Sequence, residues 1–204
     1  QELHRFKEEM KRLFEMSDLG LLRYYLGLEV HQSTLGITIN QASYAEKLLD
    51  KAGMAGCNPS HVPLELNCKL SKASSAPLAD ATLYRSIIGS LRYLVHTRPD
   101  ITYAVGLTSR FMEATASEHF AAVKHILRYI AGTIHFGCRF TNKGGCTLIG
   151  YSNADHAGDV DDRKSTSGFI FFLGLRRTPS PLRRLQAFPE PLEPSVRSAV
   201  SSCV

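Results

Sequence analysis

No stretch of the chain approaches the roughly 18 consecutive apolar residues that a helical membrane span requires, so no membrane partner is expected. No Cys-x-x-Cys pair occurs. The five cysteines, Cys57, Cys68, Cys138, Cys146 and Cys203, are odd in number and irregularly spaced. Reduced thiols in an intracellular protein, cytoplasmic or nuclear, are therefore expected. No Gly-x-x-x-x-Gly-Lys loop is present to cradle a phosphate. Ser, His and Asp occur without the elbow or spacing of a hydrolase. The segment Gln1-Glu2-Leu3-His4-Arg5-Phe6-Lys7 is polar and helical in character, unlike a secretory leader. It begins without Met, which leads us to expect a piece cut from a longer reading frame.

The 204 residues suffice for one domain, or two small ones, with an apolar core. The net charge is +5, but residues 175–204 hold five Arg and two Glu, leaving only +2 for residues 1–174. Bulk charge thus says little about the partners of the folded part.

Helical spacing of Leu3, Phe6, Met10, Leu13 and Phe14 predicts a helix over 2–15. Alternation of Tyr24, Leu26, Leu28 and Val30 with Tyr25, Gly27 and Glu29 predicts a strand, and 36–39 a second one across a hairpin. Ser43 and Glu46 match a capping box for a helix that Gly53 ends. Residues 54–79 read as a connector. Helices follow at 81–95, at 100–112 behind Pro99, and at 117–131 capped by Ser117. A strand at 136–141, a Lys143-Gly144-Gly145 turn and a hairpin at 146–173 come next. Five of the nine prolines lie beyond Leu175, and 175–204 is expected to be disordered.

Chemistry-bearing residues are few. Asn153, Asp155, Asp159, Asp161 and Asp162 lie near the end of an apolar strand, where a metal-dependent nuclease could begin. An EF-hand is excluded: counted from Asn153, the fifth position is Ala157 and the twelfth Lys164. A two-metal site needs carboxylates from several elements, and only one element is visible; a solvated acidic loop is the plain alternative. His135, Cys138, Cys146 and His156 match no common zinc spacing. Arg92, Arg98, Arg110, Lys124, His125 and Arg128, interleaved with Tyr93, Tyr103 and Tyr129, could contact phosphates without reading sequence. The charged faces of ordinary helices are the competing explanation.

Several blocks resemble the copia-type LTR-retrotransposon Pol polyprotein. Leu19-Gly20-x-x-x-Tyr24-Tyr25-Leu26-Gly27-Leu28-Glu29-Val30 and Ile37-x-x-x-Gln41-x-x-Tyr44-Ala45 resemble its reverse transcriptase after the catalytic strand. Tyr84-Arg85-Ser86-Ile87-Ile88-Gly89-Ser90-Leu91-x-Tyr93-Leu94 and Thr97-Arg98-Pro99-Asp100-Ile101-x-Tyr103-Ala104-Val105 resemble later parts. So do His125-Ile126-Leu127-Arg128-Tyr129-Ile130-x-Gly132-Thr133 and Ser165-Thr166-Ser167-Gly168. The blocks follow family order over residues 1–174.

The resemblance implies an α/β fold in the segregated, α+β sense. Residues 1–53 would be the end of the palm and the first thumb helix, 54–80 a linker, and 81–142 the helical thumb and connection. Residues 146–174 would be a truncated RNase H-like start, and 175–204 a disordered or out-of-frame tail. It implies a primer-grip-like role for Tyr25, Gly27 and Glu29, and template–primer contacts for Arg92, Arg98, Arg110, Lys124 and Arg128. The family's polymerase uses magnesium held by an upstream Asp and a Tyr-x-Asp-Asp turn, which would precede residue 1; Asp18 and Asp50 sit in other contexts. Its first RNase H carboxylate maps onto Asn153, whose amide lacks the charge that offsets a divalent ion. Asp155 lies two residues on, about 7 Å along a strand. His156 stands where the family has Trp. No metal or cofactor site and no complete catalytic set is therefore expected in this chain. The expected partners are an RNA–DNA duplex or an intact Pol protein.

Overall fold

The computed structural model describes residues 2–65, 68–72, 79–141, 148–173 and 197–203. The fold mixes helix and sheet. The expected Lys143-Gly144-Gly145 turn, Cys146, and the tail at 174–196 lie outside the described residues.

Helix α1 (Glu2–Leu13) forms as its spacing predicts, yet none of its residues is buried. Leu3, Phe6, Leu13 and Phe14 all face solvent. Lys7 Nζ bonds Asp18 Oδ2 at 2.8 Å and anchors the turn that follows.

The expected strand at 24–30 is in fact two. Leu26 (φ 49°) and Gly27 (φ 82°) fold the chain into a tight turn between β1 (Tyr24–Tyr25) and β2 (Leu28–Ser33). Two successive positive φ values suit a two-residue hairpin. At Leu26 that conformation costs about 1–2 kcal/mol, since its Cβ crowds the following carbonyl. Strand β3 (Gly36–Asn40) pairs antiparallel with β2, with Val30 opposite Ile39.

Helix α2 (Ala42–Lys51) follows. The expected capping box does not form. The Ser43 amide donates instead to Glu29 Oε1 at 2.8 Å, so a strand carboxylate satisfies the helix start and sits favourably at the positive end of the helix dipole. Gly53 (φ 65°) ends the helix, and the Met54 amide returns to the Leu49 carbonyl at 2.8 Å, a Schellman closure.

Helix α3 (Ala81–Leu94) is capped by Asp80, which accepts from the Thr82 and Leu83 amides. A single 3-10 turn, Pro99–Ile101, leads into α4 (Thr102–Ser109). Helix α5 (Ser117–Gly132) is capped not by Ser117 but by His119, whose Nδ1 accepts from the Ala116 amide at 3.0 Å. Leu48, Ile87, Leu91, Val105, Ile126 and Leu127 meet in the core that α2–α5 share. Tyr84 is fully buried there, and its hydroxyl donates to the Thr108 carbonyl at 2.6 Å.

Strand β4 (Gly137–Thr141) pairs with β3. One four-stranded sheet, in the order β1-β2-β3-β4, thereby joins residues near both ends of the helical body, across the separation expected between 1–53 and 81–142. Strands β5 (Leu148–Ala154) and β6 (Ser167–Leu173) form the expected hairpin. That hairpin is not alone: β7 (Arg197–Cys203) pairs with β6 in a second sheet, ordered β5-β6-β7. Part of the stretch expected to be disordered is therefore strand, because β6 offers it a free ladder edge.

Arg98 is 1% exposed. Its guanidinium bonds the Asp100 carboxylate through Nε and Nη2 (2.9 and 2.7 Å) and reaches the Thr133 carbonyl and hydroxyl (2.9 and 2.7 Å). The Tyr129 hydroxyl donates to Asp100 Oδ2 at 2.9 Å.

Two predictions follow from these contacts. Asp100→Ala strands a guanidinium in the core and should lower unfolding free energy by about 3–5 kcal/mol. Arg98→Met should cost less, because the orphaned carboxylate is 31% exposed and can hydrate; urea melts of both variants rank them. The Ser43 amide, then its hydroxyl, holds the Glu29 carboxyl below the usual carboxylate range. A depressed folded pKa contributes stability above the unfolded value of about 4.3, and that contribution is lost as pH falls through the folded value. Glu29→Ala should thus cost about 1 kcal/mol at neutral pH and nothing measurable once both states are protonated, as melts across an acid series would read.

Candidate nucleic-acid interface

The structure separates the basic residues into four kinds. Arg92, Lys124 and Arg128 lie on exposed helix faces. Lys124 Nζ sits 5.2 Å from the Phe120 ring centroid, and Arg128 Nε donates to the Asn58 carbonyl at 2.8 Å. Arg98 is not at the surface: Asp100 and Thr133 hold it in the interior, so it does not face a ligand. Arg110 pairs with Asp159. His125 turns its Nε2 to Ser60 Oγ (2.9 Å) and the Val62 carbonyl (3.1 Å), fastening the connector to α5.

Sequence reasoning missed Arg85 and Gly89. On α3, Thr82, Arg85, Gly89 and Arg92 are all exposed, and their spacing of three and four places them on one helix face. The signal was available as the complement of the apolar stripe.

This face adjoins the turn at Leu26 and Gly27. Tyr93, next to Arg92, donates its hydroxyl to the Leu26 carbonyl. Its ring meets Tyr44 edge-on, with centroids 5.0 Å apart, and lies 5.9 Å from His96. A Cβ at Gly27 would stand 3.6 Å from the Tyr93 hydroxyl. Tyr25 projects into solvent at 57% exposure, while Glu29 is committed to the start of α2. Of the three residues expected to play a primer-grip-like part, the structure thus leaves Tyr25 outward and gives Gly27 and Glu29 structural tasks.

The acidic loop turns its oxygens toward protein donors. Asn153 is exposed on β5, opposite Gly168. Asp155 Oδ1 accepts from the amides of Thr166 (2.7 Å) and Gly158 (3.4 Å). Asp159 Oδ1 accepts from the amides of Asp161 (2.7 Å) and Asp162 (3.1 Å). Asp161 accepts from the Ser71 hydroxyl and, at 2.7 Å, the Lys72 amide; these bonds, the hydroxyl's first, hold its carboxyl below the usual range. Asp162 pairs with Lys164 at 2.7 Å.

Among the described residues, no group of three or more His, Cys, Asp or Glu side chains converges on a common point. With a neutral amide at 153 and Asp155 occupied by two backbone amides, the donor set does not fit magnesium. For the zinc spacing, Cys138 directs its thiol at the Thr97 carbonyl (3.5 Å), and Cys146 lies outside the described residues. No described helix is long and apolar enough to cross a membrane.

Comparison with known proteins places the chain. Residues 1–66 match the family model described as reverse transcriptase (RNA-dependent DNA polymerase). The retrovirus-related Pol polyprotein from transposon RE1 of Arabidopsis thaliana is 43% identical over 173 residues, covering 84% of this chain and 12% of that protein. The Pol polyprotein from transposon TNT 1-94 of Nicotiana tabacum is 37% identical over 176 residues, covering 82% and 13%. An uncharacterised mitochondrial protein of Arabidopsis thaliana is 37% identical over 166 residues, covering 81% of this chain and 69% of that one. No solved structure matches. The chain thus spans about an eighth of the Pol polyproteins it matches, and across that span it belongs to the copia-type retrotransposon Pol polyprotein family, in its reverse-transcriptase-like part.

Proposed function

We propose that this segment holds an RNA–DNA duplex without catalysing its synthesis or cleavage. The observation that carries the reading is Gly89. A glycine inside a helix costs about 1 kcal/mol relative to alanine. No atom lies within 4 Å of where its Cβ would be, so nothing in the described fold requires the side chain to be missing. Arg85 and Arg92 flank it on the same exposed face, seven residues and about 10.5 Å apart along the axis. A bare patch between two cations suits close approach by a phosphate-bearing backbone, read by charge and shape rather than by base. Tyr25, beside the turn that Tyr93 tethers to the same helix, extends that surface with an aromatic ring. Lys124 and Arg128 on α5 add a second cationic face.

The same residues argue against chemistry within this stretch. The 204 residues contain no Tyr-x-Asp-Asp, and Asn153 stands where the resemblance puts the first RNase H carboxylate. Without carboxylates to bind the metal pair, no group here polarises a triphosphate or activates a water.

A second reading, a structural subunit that pairs with an intact Pol protein, draws on α1. Leu3, Phe6, Leu13 and Phe14 expose an apolar surface of the kind that marks interaction sites.

Retention of a labelled RNA–DNA hybrid at low salt, falling steeply as salt rises, is the expected result; no retention at low salt overturns the duplex reading. Arg85→Gln with Arg92→Gln should lower the magnitude of the log–log salt slope by about 2. Gly89→Leu should weaken binding at least tenfold while slightly raising thermal stability, since leucine is the better helix former. Equal binding by Gly89→Leu would remove the glycine argument. Asn153→Asp should restore no magnesium-dependent hybrid cleavage, assayed on the purified chain.

A further inference from the structure

The acidic loop of the β5–β6 hairpin does more than turn the chain. We infer that residues 155–162 form a clasp that fixes the β5–β6 strand pair to the helical body, using carboxylates as acceptors for protein donors from the end of α4 and from the connector, with α5 bracing the connector behind them. The first donor is Arg110, at the C-terminal cap of α4, paired with Asp159. That pair is largely withdrawn from solvent, at 19% and 9% side-chain exposure, so it is screened less than a surface ion pair. The second donor is the connector, where Ser71 and Lys72 both bond Asp161 across about ninety residues of sequence. The third element is α5, acting through the connector. His119 is fully buried; its Nδ1 accepts from the Ala116 amide, so its Nε2 carries the proton and donates to the Ser71 carbonyl at 3.0 Å. The Phe111 ring stacks on that imidazole, with centroids 4.1 Å apart. Ala116 amide, His119, Ser71 and Asp161 thus form one continuous chain from the start of α5 to the loop.

The loop is shaped for this task. Asp155 and Asp159 each accept two backbone amides through Oδ1, and Asp159 keeps Oδ2 for Arg110. A Cβ at Gly158 would collide with the Asp155 carboxylate, so the turn admits no side chain there. Cys68, Tyr103 and Phe111 border the small crevice where the loop meets the helices. A loose solvated loop would not engage donors from α4 and the connector together. The clasp sets the direction of the strand that carries Asn153 relative to α4, and it does so whether or not the helices bind a duplex.

Hydrogen–deuterium exchange on the full chain tests the clasp. Asp159→Asn with Asp161→Asn keeps the amide-accepting oxygens of the turn but removes both charges. Amides of 148–154 and 167–173 should exchange at least tenfold faster, with those of α3 and α5 unchanged. Arg110→Gln alone should reproduce part of the effect and add little to Asp159→Asn. Unchanged strand exchange would mean that β7, which also lies against α4, carries the attachment, and the inference fails. Equal acceleration in the strands and in α3 and α5 would also overturn it, since the loop would then support the whole fold rather than join two parts. Gly158→Ala is the uncharged check: faster strand exchange supports the clasp, and none refutes it.

Discussion

A buried guanidinium organises the centre of the molecule. Arg98 stands at the corner where α3 ends and the chain turns toward α4. It holds the Asp100 carboxylate in front and the C-terminal end of α5 behind, through Thr133. Tyr129 closes the ring from α5, and Phe136 offers a ring face 5.5 Å from the guanidinium carbon. Taking a cation out of water is costly, and attraction to one carboxylate seldom recovers more than that cost. What such an arrangement supplies is direction. Only one mutual placement of the three helix ends satisfies all the donors, and that placement delivers residues 137–141 alongside β3. The four-stranded sheet thus depends on a core ion pair that none of its strands contains.

Much of this architecture is legible in the amino-acid pattern, because apolar periodicity is local. The spacing of Ile87, Leu91 and Leu94, and of Val123, Leu127 and Ile130, marks inward faces that the structure buries. What escapes is whatever depends on distant partners. Ser43 and Glu46 look like a cap when only neighbours are considered; the group that wins, Glu29, lies fourteen residues back on a strand. Ser117 loses to His119 because the imidazole can also reach the connector. Nothing in Leu26 announces a positive φ, so the two short strands read as one. The pairing of β3 with β4 spans about a hundred residues and leaves no local mark.

Charge is the least legible property of all. Arg92 and Arg98 look alike in the sequence, yet one is exposed and the other fully enclosed, since Asp100 and Thr133 exist for only one of them. The aspartates of the hairpin loop pose the same problem. A cluster of carboxylates suggests a cation from outside, whereas here the cations and amides come from the protein itself. The outcome is a division of labour. Outward-facing positive charge gathers on α3 and α5, where Gly89 leaves room for a backbone, and the negative charge at 155–162 is spent on internal joinery. On the proposed reading, those outward cations would hold a duplex, and the amide at 153 stands where the resemblance puts a carboxylate.

The first helix carries a different implication. Most helical stability in proteins comes from packing an apolar face, and α1 packs none of its own. Twelve residues of otherwise adequate propensity are therefore left to fray in water, and the rings of Phe6 and Phe14 are free to find one another on neighbouring molecules. In this stretch of chain, that exposed stripe, rather than the buried core, is where contact with another apolar surface would begin.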